Sequence, residues 1–109
     1  MEKVKIEISI EVIGYLNELI KILFEKEYFS FEESAQLYVK DIYDFIEFEL
    51  YNLPHKTTTH KIKNFGSKYV CYKANKRTTW YIFFTTQENL ILITHITNNH
   101  MQDINVLNE

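Results

Sequence analysis

Six lysines and one arginine (Lys56, Lys61, Lys63, Lys68, Lys73, Lys76 and Arg77) fall between His55 and Arg77, with no acidic residue among them. All four histidines, His55, His60, His95 and His100, lie in the same half of the chain. Fixed cations stabilise charge that grows on a phosphate, and an imidazole with an ordinary pKa of about 6.5 exchanges a proton near neutrality. The first half has the opposite sign. Residues 1–54 hold twelve Asp/Glu against five Lys, whereas residues 55–109 hold three against seven Lys/Arg. A whole-chain charge of −3 would argue against a nucleic-acid partner, but this distribution argues for one. The plain alternative is a solvated basic edge that balances acidic helices.

Taken singly, the candidates carry different weights. Lys61 and Lys63 share strand parity and hence a face, either as a phosphate-holding pair or as an ordinary solvated pair. Arg77, the only arginine, sits at a hairpin tip, where it reaches a phosphate or stacks on Trp80 or Tyr81. Tyr72, Trp80 and Tyr81 are suited to stacking on bases, although most strand aromatics belong to a core. His95, mid-strand among Ile91, Ile93 and Thr97, reads as a hydrogen-bonded, half-buried residue. Cys71, between Val70 and Tyr72, reads as a small core residue rather than a nucleophile. The pairs His55/His60 and His95/His100 have a five-residue spacing that sets each member on the opposite strand face, without acidic or thiol partners. No metal or cofactor is expected.

These side chains need elements to position them. Val4, Ile6, Ile8 and Ile10 alternate with polar residues as a half-buried strand. Val12, Leu16, Leu19, Ile20 and Leu23 then recur at helical spacing, which predicts a helix over about 12–28. Ser30-Phe31-Glu32-Glu33 is a capping box. It opens a second helix with Ala35, Tyr38, Val39, Ile42, Phe45, Ile46, Leu50 and Leu53 on one side, stopped by Pro54. The two helices are expected as an antiparallel pair. The threonine-rich stretch 56–62 reads as an exposed edge strand and residues 64–67 as a turn. Lys68–Lys73, 78–86 and 90–97 read as three further strands joined by short turns. The expectation is therefore one α+β domain over 1–109: an N-terminal strand, a helical hairpin, and a four-stranded antiparallel meander with an open basic face. The tail beyond His100 is expected to fray. The lone Cys71 excludes an internal disulfide and fits a cytoplasmic protein, and Met1-Glu2-Lys3-Val4-Lys5 is not a signal peptide. The longest apolar runs fall short of a membrane span.

Three stretches then resemble a known family. Gly66-Ser67-Lys68-Tyr69-Val70-Cys71-Tyr72-Lys73, Thr79-Trp80-Tyr81-Ile82-Phe83-Phe84 and Ile93-Thr94-His95-Ile96-Thr97-Asn98-Asn99-His100 resemble the RelE/ParE superfamily of bacterial type II toxins. The segments Tyr28-Phe29-Ser30-Phe31 with Ala35, Tyr38 and Val39, and Lys76-Arg77-Thr78-Thr79-Trp80-Tyr81, look like one branch of it. The resemblance implies a toxin neutralised by a cognate antitoxin. It implies one of two activities: metal-free, ribosome-dependent mRNA cleavage by attack of the 2′-OH, or poisoning of DNA gyrase by protein binding. An inactive interaction module is a third possibility.

Under the nuclease reading, Lys61 and Lys63 match the family's lysines and, with His100 at the late cationic position, make up the expected catalytic set. Tyr69 stands where a strand arginine is usual, and with Lys73 and Arg77 it forms the expected substrate-binding set. Tyr69 and His100 are departures from the family pattern. Losing the strand arginine weakens phosphate clamping, because neither lysine nor tyrosine offers a bidentate fork.

Overall fold

The computed structural model describes residues 4–25, 32–58 and 60–100. The chain runs β1 (Lys5–Ile8), α1 (Ile10–Glu25), α2 (Glu32–Phe48), a short 3-10 turn (Leu50–Asn52), β2 (Lys56–Thr57), a 3-10 helix (His60–Phe65), β3 (Lys68–Lys73), β4 (Thr79–Gln87) and β5 (Leu90–Asn98). The expected class and element order are both present. The strands form one mixed sheet in the order β1-β5-β4-β3-β2. β2 to β5 make the antiparallel meander, and β1 adds on the far side, parallel to β5, with Lys5 opposite Leu90 and Ile8 opposite Ile93. Among the described residues no helix is long and apolar enough to cross a membrane.

One residue turns β1 into α1. The Ser9 N–H donates to the Ile93 carbonyl at 2.9 Å, which completes the strand pairing. The Ser9 hydroxyl then accepts from the Val12 N–H at 3.3 Å, and its carbonyl accepts from Ile13 at 3.0 Å. This N-cap starts the helix at Ile10, two residues before the apolar period predicts. Residues 26–28, the first two residues of the capping box and the tail after His100 lie outside the described residues.

Both helices cover one sheet face. Val12, Leu16 and Leu19 of α1 and Val39, Ile42, Phe45 and Ile46 of α2 pack on Val70, Trp80, Ile82, Phe84, Ile91, Ile93 and Ile96. Trp80 is the polar seam of this core: its Nε1–H donates to Tyr38 Oη at 2.9 Å, and the Tyr15 and Tyr38 rings meet it edge-on. Leu50 is buried as expected, whereas Leu53 is more than a third exposed because the chain turns away at the 3-10 turn before Pro54.

The largest difference from expectation lies after β2. The predicted edge strand is only two residues long: Lys56 pairs with Tyr69 and Thr57 with Lys68. The chain then forms the 3-10 helix, so Lys61 and Lys63 stand on a helical turn and share no strand face. Burial of Phe65 decides this. Its ring meets Phe83 at 5.4 Å and stacks on His95 at 4.1 Å on the face away from α1 and α2. A β-bulge helps. Phe83 pairs with His95 but Phe84 pairs with Ile93, so Thr94 is the extra residue, and its hydroxyl donates to the Phe65 carbonyl. Gly66 follows because a Cβ there would lie 2.7 Å from Thr94 Oγ1 and 2.9 Å from the Phe84 nitrogen. The face expected to be open is therefore partly roofed, and Phe83 has no exposed surface.

Candidate functional site

Cross-strand neighbours share a face, so the register places each candidate. On the face away from the helices a first row holds Lys56, Tyr69, Phe83 and His95. A second row holds Cys71, Tyr81 and Thr97, and a third holds Lys73 and Thr79. Lys56 Nζ sits 5.9 Å from the Tyr69 ring centroid, a cation–π arrangement at a half-exposed site. The Tyr69 and Tyr81 rings lie 6.3 Å apart. Burial pushes the Tyr81 phenol up, helped by Cys71 and Tyr69 and opposed by Lys56. Burial likewise raises the Cys71 thiol, with Lys56 opposing. Both groups stay neutral at pH 7, which suits packing and hydrogen bonding rather than nucleophilic attack.

Past the third row, side chains tie the end of β5 to the β3–β4 hairpin. Asn75 Oδ1 accepts from the backbone N–H groups of Arg77 and Thr78 at 2.9 and 3.0 Å, closing an Asx-type turn. Asn99 spans the gap between strands: its Oδ1 accepts from the Thr79 N–H at 3.0 Å, and its Nδ2 donates to the Arg77 carbonyl at 3.0 Å. Asn98 Oδ1 accepts from the His100 N–H at 2.9 Å. His100 Nε2 is then 3.2 Å from Thr78 Oγ1, so the ring is held beside the hairpin that carries Lys76 and Arg77. A hydroxyl can either donate to a bare ring nitrogen or accept from an N–H, so the contact holds the ring in either tautomer.

The structure thus brings Lys73, Arg77 and His100 to one end of the sheet. Tyr69 lies on the same face, four residues back along β3, roughly 13 Å at the usual strand rise. Lys63 is exposed on the 3-10 helix docked over the first row, about five strand positions from Thr78, on the order of 16 Å. Lys61 belongs to the same 3-10 helix, and its side chain lies outside the described residues. Of the three aromatics suited to stacking, only Tyr81 is on this face. Trp80 is buried under the helices, and Tyr72 packs on Phe45 at 4.7 Å, also on the helix side. A stack of Arg77 on Trp80 is therefore closed off.

Four contributors, Lys56 and three asparagines, were not legible as site residues. Lys56 meets Tyr69 only because of the β2–β3 register. Asn75, Asn98 and Asn99 gave a signal, the clustering of asparagine at a hairpin and at a strand end, but their joint role requires the two ends to meet. On the helices Glu11, Glu18, Asp41 and Glu47 are exposed, on the layer opposite this surface. Comparison with protein-family models, with curated proteins and with solved structures returned no match.

Proposed function

We propose that this chain is a toxin of the RelE/ParE kind, acting on mRNA at the ribosome as a metal-independent endonuclease, with the hairpin end of the sheet as its reacting site. The observation that carries the reading is the placement of His100 against Thr78, beside the hairpin of Lys76 and Arg77 and the exposed end of Lys73, with no described carboxylate in that group. The order strand, two helices, four strands supports it, since the family resemblance implies that order.

The chemistry divides by position. His100 is the proton-exchanging group at the 2′-OH or the leaving oxygen. Arg77 and Lys73 hold the phosphate as its charge grows. Lys56 and Lys63 lie too far along the sheet to touch the same phosphate and instead hold the strand upstream or downstream of it, an electrostatic role sensitive to salt. Tyr81 offers a ring face for a base between these points, while Tyr69, packed on Phe83 with Lys56 over its ring, holds that lysine toward the strand. The partners proposed are the ribosome, mRNA and a cognate antitoxin protein, and the site of action is the cytoplasm.

The test is a translating extract with primer-extension mapping of mRNA ends. Wild type should cut mRNA only during translation. His100→Ala should lose roughly 10²- to 10⁴-fold in cleavage rate. Full cleavage by His100→Ala removes this residue from the mechanism. Absence of cleavage together with block of DNA supercoiling would place the chain with the gyrase poisons, and absence of both would leave an interaction module.

A further inference from the structure

We propose that β1 is a self-pairing edge through which two copies of this chain join antiparallel into one continuous ten-stranded sheet. Among the described residues β1 ends the sheet, and no strand lies on its outer side. The Lys5 N–H donates to the Asn89 carbonyl at 2.8 Å and the Ser9 N–H to Ile93 at 2.9 Å. By the two-residue period of a strand, the odd residues turn their backbone groups to β5, while Ile6 and Ile8 turn theirs outward. An exposed edge of this kind is a template for another strand.

The sequence of β1 selects its partner and its register. Lys5 and Glu7 are exposed and flank Ile6. In an antiparallel pair with a two-fold axis at Ile6, Ile6 lies opposite the partner's Ile6, exchanging both backbone hydrogen bonds, and Val4 lies opposite the partner's Ile8. Lys5 then lies opposite the partner's Glu7, and Glu7 opposite the partner's Lys5. These charged pairs fall at the non-hydrogen-bonded positions, where facing side chains are closest. Centring the axis on Lys5 would set lysine against lysine, and centring it on Glu7 would set glutamate against glutamate. All three registers satisfy the outward backbone groups, and only the one centred on Ile6 is also complementary in charge to a second copy of the strand.

A second observation lies at the same edge. The chain passes from β1 through Ser9 straight into α1, and Ile10 and Ile13 in that first turn are 84% and 39% exposed. Facing residues of an antiparallel pair project to the same side, so both helical layers would lie on one side of the joined sheet. Apolar surface at the β1–α1 junction is then drawn toward the partner. The contact is small, so the dimer is expected to be weak and concentration-dependent. It rests on edge geometry alone and stands or falls independently of the proposed activity.

Analytical ultracentrifugation of the full chain at high micromolar concentration tests it. Wild type should sediment as a monomer–dimer exchange. Glu7→Lys sets lysine against lysine at both symmetry-related positions and should weaken association roughly tenfold or more. The double exchange Lys5→Glu/Glu7→Lys should restore it. Circular dichroism of all three should coincide, since both side chains are exposed. A monomeric wild type, as expected if another protein's strand is the natural occupant of this edge, overturns the proposal. So does a dimer indifferent to Glu7→Lys, or a double exchange that fails to recover.

Discussion

The two ends of the sheet surface away from the helices are held by different forces. At the Phe83 row, Phe65, Tyr69 and His95 close around a fully buried ring, and the bulge at Thr94 and the close approach of Gly66 fix the docked 3-10 helix. At the hairpin end almost nothing is buried. Position there is set by asparagine side chains bonded to backbone and by the Thr78–His100 contact. Burial is strong and indifferent to direction, so it suits a region that must simply stay closed. Hydrogen bonds are weaker but fix angles while leaving side chains wet, which suits a region that must meet a polar partner.

Substitutions should separate the two regimes. The largest effect is expected from Phe83→Ala, which empties the centre of the roofed row. A loss of about 3–5 kcal/mol in urea unfolding is expected, with loosening of the 3-10 helix visible as faster amide exchange at Gly66. A loss within the range of a surface change would mean the roof carries no weight. Asn99→Ala should cost less in stability, about 0.5–1.5 kcal/mol, because its bonds lie near solvent. It should nevertheless reduce mRNA cleavage more than Phe83→Ala does under conditions where both are folded, since it frees the Arg77 hairpin from β5. Reversed ranks would show that the hairpin end is not the functional one.

The smallest effect expected is on alkaline pH. Burial raises the thiol of Cys71 and the phenols of Tyr43, Tyr72 and Tyr81 above their ordinary values of 9.0 and 10.0. For a group raised in the folded state, the stabilisation is complete below the unfolded pKa and is lost as pH rises through the folded one. Stability is thus expected to be flat with respect to these four groups up to about pH 8 and to fall beyond pH 9. Tyr81→Phe on the roofed side and Tyr72→Phe on the helix side should each flatten that fall. Unchanged alkaline slopes in both would remove these phenols as its source.

How much of this was legible in the sequence follows from the kind of force involved. Local periodicity placed β3 at its observed bounds and β4 and β5 within one residue of theirs. The apolar face of α2 emerged equally well, because a helical stripe is a local pattern. The stretch after β2 was misread, since threonine-rich composition favours a strand locally while Phe65 is captured by a ring eighteen residues later. Parallel pairing of β1 with β5 was not foreseen either, because nothing local in Lys5–Ile8 names its neighbour. His100 was singled out for its chemistry, but the residue that holds it, Thr78, belongs to a different strand junction and becomes visible only once the two ends meet.

The Trp80–Tyr38 hydrogen bond has an optical consequence. Trp80 is the only tryptophan, fully enclosed, with its indole N–H fixed to α2 and its ring bracketed edge-on by Tyr15 of α1. Its emission therefore reports the seam between the two layers and is insulated by the thickness of the sheet from events on the opposite face. A ligand seated on Tyr81 and the hairpin end should quench tyrosine yet leave the tryptophan band where it is. A red shift of that band would instead signal separation of the helices from the sheet, so a single fluorescence spectrum distinguishes occupancy of one face from opening of the other.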